Sequence, residues 1–292
     1  MRTIDQVGAM QAWGRAMRGR DAARIALVPT MGALHAGHLS LVDIARRHAD
    51  RVVASVFVNP TQFDRADDFA RYPRDLERDG ALLASAGVDV VFAPDAAEMY
   101  PPGAQTSVSV ERLAEPLCGA HRPGHFRGVA TVVLKLFHIV QPHVAVFGEK
   151  DYQQLALIRR MVRDLHVDID VVGAPIVRED DGLAMSSRNR HLDPAERAAA
   201  LCLVRALDAA EACVAAGERD TVALVEAANA VIALEPRARA EYVVAVDPDT
   251  LAPAAEVAGT VVLALAVWIG STRLIDNRQL TVPAVHRERR SA

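Results

Sequence analysis

The 292-residue chain predicts an α/β protein: a doubly wound parallel sheet followed by a second, smaller α+β domain. Two observations carry this. Short apolar runs at 25–28, 52–58, 88–92, 144–147 and 169–172 alternate with helix-period segments at 38–48, 73–85, 129–140 and 152–165. The apolar runs alternate little with polar residues, as strands covered on both faces do. After about Arg178 the order becomes helices first, strands second. Right-handed crossovers between parallel strands would give a Rossmann-like first domain, 1–177, with ligands at the carboxyl ends of its strands. The second domain is expected over 178–292, with a hinge near 177–189.

Each element has a local reason. The run at 25–28 ends at Pro29, and glycines and histidines separate it from the amphipathic pattern of Leu39, Leu41, Val42, Ile44 and Ala45. The runs at 52–58 and 144–147 likewise stop at polar clusters opening on Asn59 and Gly148. In the second domain, Asp193-Pro194 reads as an N-cap with proline at the first helical position. A long alanine-rich helix to about Ala216 is expected there, then a helix over 221–234. Strands follow at 242–246 and 261–269, with a shorter third around Leu274-Ile275.

Composition narrows the function. Apolar content of 51% and charged content of 24% fit a globular protein with a sizeable core. A net charge of −4 argues against a general nucleic-acid binder, while leaving room for a local basic pocket. Cys118, Cys202 and Cys213 are odd in number, widely spaced and free of any C-x-x-C, so they read as small buried hydrophobes in a reducing compartment. The first 17 residues lack the apolar core of a signal peptide, and the run at 261–269 is too short to span a bilayer. A cytoplasmic protein with no membrane partner is expected.

Four polar clusters carry the candidate chemistry. The first is Met31-Gly32-Ala33-Leu34-His35-Ala36-Gly37-His38, a strand-to-helix turn. Free N–H groups and the positive end of the helix dipole attract phosphate there, and glycine lets backbone approach it closely. Two solvated or capping histidines would be the plain alternative; a zinc site would need further ligands, and no His or Cys cluster lies nearby. The second is Asn59-Pro60-Thr61-Gln62, an Asn-Pro turn by itself, in which Gln62 can orient a small polar substrate. The third is Gly148-Glu149-Lys150-Asp151-Tyr152-Gln153-Gln154. It is either a solvated charged turn or a phosphate-reaching Lys150 with a capping or ribose-binding Asp151. The fourth runs from Arg178 through Met185, Ser186, Ser187 and Arg188 to Asn189. It reads as a polar linker or as a mobile loop gripping phosphates. The basic loop from His121 to Gly128 is either cleft lining or a connector.

Taken in order, these segments resemble the pantoate–β-alanine ligase family over nearly the whole chain. The resemblance also uses Tyr72-Pro73-Arg74, His121-Arg122-Pro123-Gly124-His125-Phe126-Arg127-Gly128, and Arg273-Leu274-Ile275-Asp276-Asn277. The H-x-G-H element at 35–38 is shared with many nucleotidyltransferases; the ordered set is specific to the ligases. Asp64 and Ala36 depart from residues that the family often has.

The resemblance implies an ATP-dependent, AMP-forming ligase. D-pantoate and ATP would give pantoyl adenylate and pyrophosphate, and β-alanine would then displace AMP. It implies His38, His35 and Lys150 as catalytic, with His38 in the acid role. It implies ATP contacts from Met31 through His38, from Gly148 through Asp151, from Val177, and from Met185 through Arg188. Gln62 and Gln154 match pantoate positions. Mg²⁺ with unnamed ligands, a homodimer, and a second domain closing over the site are further implications. Alternatives are another nucleotidyltransferase of the same fold group, which would leave the nucleotide on its product, or a nucleotide sensor without turnover. An RNA-acylating enzyme is disfavoured by the acidic charge.

Overall fold

The computed structural model describes residues 1–19, 22–63 and 66–282, without the side chains of 66–68. Asp64 and the last ten positions of the expected second domain lie outside these residues. The chain divides into two compact units: 1–179 with 184–187, and 180–183 with 188 onward.

The first unit runs β1 (Arg2–Ile4), α1 (Val7–Gly19), β2 (Ile25–Thr30), α2 (Ala36–His48), β3 (Arg51–Val56), α3 (Ala66–Arg71), α4 (Leu76–Ser85) and β4 (Val90–Phe92). It continues with α5 (Ala96–Met99), α6 (Cys118–His121), α7 (His125–Val140), β5 (Val144–Gly148), α8 (Tyr152–Asp164) and β6 (Asp170–Ala174). The six strands lie in the order β1-β4-β3-β2-β5-β6 and every pairing is parallel. From β2 the chain winds outward through β3 and β4, then returns to place β5 on the other side of β2. The order therefore reverses between β2 and β5, where α/β sheets bind ligands.

Register puts the polar clusters at one end of the sheet. Thr30 pairs with Val56, and Gly148 with Ala174, so the strands finish together. Alternate strand residues feed two cores. Ala26, Val28, Ala54, Val91, Val144 and Val146 pack with Leu41, Val42 and Ala45 of α2 and Leu83 of α4. Ile25, Leu27 and Val53 are wholly buried on the opposite side of the strands. The five strands and four helices expected in this unit are all present, shifted by a few residues at their ends.

The second unit holds α9 (Pro194–Ala200), α10 (Cys202–Ala215), α11 (Thr221–Ala233), β7 (Ala238–Val246), β8 (Thr260–Ile269) and β9 (Thr272–Thr281). Its strands form an antiparallel sheet in the order β7-β8-β9. Asp193 caps α9 as expected, accepting the Glu196 N–H at 2.7 Å, with Pro194 at the first helical position. Two expectations need correction. The alanine-rich helix is two helices, because the chain tightens at Leu201, whose N–H donates to Ala198. The third strand is ten residues long rather than a short run around Leu274-Ile275.

Candidate active site

The turn after β2 is built by unusual backbone. Gly32 and Ala33 both have positive φ, +82° and +54°. Their conformation turns the Ala33 and Leu34 N–H groups towards Asp79 of α4, whose Oδ2 and Oδ1 accept them at 2.7 and 2.9 Å. The Thr30 hydroxyl donates to the Ser55 carbonyl at 2.7 Å and accepts the Gly32 N–H at 3.2 Å, tying the turn to β3. The N–H groups of Ala33 and Leu34 are thus already bonded to protein.

His35 is the N-cap of α2 and His38 its third residue. The His35 N–H donates to His38 Nδ1 at 3.3 Å, and the two rings stand 4.1 Å apart. With Nδ1 accepting, a neutral His38 carries its hydrogen on Nε2. His38 is half-buried. Burial, then repulsion from His35, lowers its pKa from 6.5 to about 3; Asp151 raises it and Lys150 lowers it further. His38 is therefore neutral at physiological pH, and what it offers is an N–H bond rather than an imidazolium proton. Lys150 and Asp151, in the cluster after β5, thus act through their charge on His38 in the cluster after β2.

Glycine is needed at 37 for space. A Cβ there would come within 2.9 Å of the His35 ring and 3.5 Å of the Met185 Cβ. Met185 in turn donates its N–H to the Val177 carbonyl at 2.9 Å, so the segment 184–187 is held beside α2 in the first unit. Arg188 belongs to the second unit.

Gln62 is held from both ends. Asn59 Nδ2 donates to Gln62 Oε1 at 2.9 Å, and Gln62 Nε2 donates to the Met31 sulfur at 3.1 Å. The Gln62 carbonyl accepts His125 Nδ1 at 2.8 Å and Arg122 at 3.2 Å. Asn59 itself is wholly buried and fully bonded, accepting from the Thr61 and Tyr100 hydroxyls and donating to Gly128. The Asn-Pro turn is present, but Asn59 also organises the whole corner. The basic loop is more than a connector, since Arg122 and His125 clamp the backbone of Gln62.

After β5, Glu149–Asp151 form a single 3₁₀ turn leading into α8. Gln153 and Gln154 then behave differently. Gln153 is buried and anchors the segment before α6, accepting the Cys118 N–H at 3.0 Å and donating to Leu113 and Pro116. Gln154 is half-buried in the first turn of α8.

Sequence reasoning missed Asp79, the Asn59 hub and the anchoring role of Gln153. Asp79 left one readable trace: it lies four residues before Leu83, on the buried stripe of α4. Among the described residues no three His, Cys, Asp or Glu side chains are grouped to hold a metal ion. No helix among them is long and apolar enough to cross a membrane.

Comparison with known proteins decides the family. The model of the pantoate–β-alanine ligase family matches residues 2–279. The chain belongs to the pantoate–β-alanine ligase family. Among this ligase's relatives, the pantothenate synthetase of Heliobacterium modesticaldum is 57% identical over 282 residues, spanning 97% of this chain and 100% of its own. The pantothenate synthetase of Moorella thermoacetica is 55% identical over 97% of this chain and 99% of its own. The crystal structure of pantothenate synthetase from Thermus thermophilus superposes with a TM-score of 0.91 at 48% identity, covering 97% of this chain and 100% of that one. A pantoate–β-alanine ligase from Francisella tularensis, crystallised with β-γ ATP and β-alanine, gives a TM-score of 0.77 at 34% identity, over 95% of this chain and 97% of that one. The enzyme is thus a ligase of pantothenate biosynthesis with a six-stranded parallel sheet and a small antiparallel one.

Proposed function

We propose that this ligase condenses D-pantoate with β-alanine at the expense of ATP, through a pantoyl-adenylate intermediate, giving pantothenate, AMP and pyrophosphate. The observation that carries the reading is the convergence of His38, Lys150 and Gln62 at the carboxyl ends of β2, β5 and β3. The Francisella relative, bound to an ATP and to β-alanine, supports it.

A free carboxylate is a poor acyl donor, and adenylation gives it a leaving group. In the first step a pantoate carboxylate oxygen attacks the α-phosphorus and the bond to pyrophosphate breaks. Negative charge builds on the phosphoryl oxygens, and fixed donors stabilise it best. The Lys150 ammonium and the His38 Nε2–H are those donors, with His35 beside them on phosphate. A neutral His38 suits this work, because it donates without first having to be charged in a crowded place. Gln62 and Gln154 hold pantoate. In the second step the β-alanine amine attacks the acyl carbon, the bond to the adenylate oxygen breaks, and the amine loses a proton.

Mg²⁺ would enter with ATP and would offset negative charge on its phosphates. Among the described residues no three His, Cys, Asp or Glu side chains are grouped to hold it, and both oxygens of Asp79 already accept backbone N–H groups. The remaining ATP contacts, at Gly148, Glu149 and Asp151, Val177 and Met185 through Arg188, belong to the same proposal. So do a homodimer, a cytoplasmic location and a second domain, 178–292, that closes on the ATP- and pantoate-binding domain, 1–177.

Pyrophosphate–ATP isotope exchange without β-alanine tests the reading. Exchange that requires D-pantoate, followed by AMP release on adding β-alanine, is expected. A folded, ATP-binding enzyme without exchange or AMP release would rule the adenylate route out.

A further inference from the structure

The turn that presents His35 and His38 is held by a carboxylate from another helix. Asp79 has no exposed surface. A buried carboxylate is costly unless its lone pairs are met. Here each oxygen accepts one backbone N–H, from Ala33 at 2.7 Å and Leu34 at 2.9 Å. Those two amides follow residues in the left-handed region, Gly32 and Ala33. Successive N–H groups in such a conformation form a concavity that receives an anion. In this protein the anion is internal.

The rest of the turn is fitted around that contact. A Cβ at Gly32 would stand 2.9 Å from Asp79 Oδ2, so a side chain there would displace the carboxylate. Ala33 keeps a positive φ that L residues rarely adopt, and it needs an outside partner to do so. Arg78, the neighbour of Asp79 on α4, donates to the Leu34 carbonyl at 3.4 Å. The Leu34 side chain is buried in the core beside Leu83. The chain then passes directly into His35, whose N–H holds the His38 ring.

We propose that Asp79 is a positioning residue for adenylation: it fixes the left-handed turn at 32–34, from which His35 and His38 are presented, and touches no substrate itself. This rests on the role given to His38 above. Shifting a reacting donor by an ångström costs about 100-fold in rate.

The test is a double-mutant cycle read by pantoate-dependent pyrophosphate–ATP exchange in the full-length enzyme. Asp79→Asn keeps shape and one acceptor but sets an amide NH₂ against a backbone N–H. It is expected to lower the exchange rate by about 100-fold, at temperatures where circular dichroism reports a folded protein. On a His38→Ala background the same change is expected to cost less than about threefold, because the donor it positions is gone. A loss that multiplies fully on that background, or a D79N enzyme of native rate, overturns the proposal. If D79N does not fold, Gly32→Ala disturbs the same clamp from the other side and takes its place in the cycle.

Amide spectra give a readout that does not depend on His38. The Ala33 and Leu34 amide protons are expected downfield and slow to exchange in the native enzyme, and D79N is expected to lose both properties. Unchanged signals in D79N overturn the proposal whatever the rates. An H38A enzyme with native exchange would instead refute the role of His38, leaving Asp79 to stand or fall on the D79N spectra and rate.

Discussion

At the scale of single residues, the site is defined by what its polar groups are already bonded to. His38 gives a pH-dependent example. An unfolded histidine titrates near 6.5, and this one titrates at about 3 when folded. The native state therefore binds fewer protons between those values. Stability contributed by the neutral ring is complete above pH 6.5 and is lost as pH falls towards 3. Between about pH 7 and about pH 4.5 the native enzyme is expected to lose about 2 kcal/mol more than a His38→Gln variant, read from urea midpoints at the two pH values. Equal losses would mean that the ring is not held neutral. Gly128 gives a second example. A Cβ there would overlap the Thr61 carbonyl and press on the Gln62 amide. Gly128→Ala is therefore expected to raise the pantoate KM about tenfold or more while leaving the ATP KM within about twofold. Equal changes in both would point to general damage.

The legibility of these residues follows from where their partners lie. His35, His38, Lys150 and Gln62 stood out because polar residues and glycines follow apolar runs, a local signal. Asp79, the Asn59 hub, Arg122 with His125, and Gln153 act on backbone far away in sequence. Asp79 reaches 45 and 46 residues back, and His125 reaches 63. Nothing in a residue's own neighbourhood reports such a contact. The positions proposed to carry chemistry were therefore readable, and those holding them in place were not.

At the scale of elements, strands buried on both faces were readable because they are short and continuously apolar, as in β2, β3 and β5. The edge strand β1 has three residues and offered no pattern. The break at Leu201 has neither glycine nor proline to announce it. β9 was underestimated because its polar residues have partners elsewhere. Arg273 pairs with Glu241, and Arg278 pairs with Asp208 and Glu211 of α10. The crossing of α1 and α7 depends on one missing side chain: a Cβ on Gly14 would lie 2.6 Å from the Val140 carbonyl oxygen. Gly14→Ala forces the helices apart and is expected to destabilise the enzyme by about 1–3 kcal/mol in urea denaturation, despite the higher helix propensity of alanine. A stabilised variant would mean the crossing can open at no cost.

At the scale of the whole molecule, the family assignment rests on relatives matched end to end. Sedimentation equilibrium tests the proposed homodimer: a mass of twice the chain is expected, and a single-chain mass at working concentration would remove it. The order of the parallel sheet has one further consequence, for how the enzyme is made. β2 is one of the two central strands, yet its neighbour β5 lies 118 residues further on, as Ala26 pairs with Val144. A ribosome adding about 5–20 residues per second needs roughly 6–24 s to cover that distance. For that time the β5-facing edge of β2 has no native neighbour, and its backbone N–H and C=O groups wait for partners. The centre of the sheet is thus the part of the nascent chain most in need of shelter, and Lys150 emerges only after the four strands from β1 to β4 have already left the ribosome.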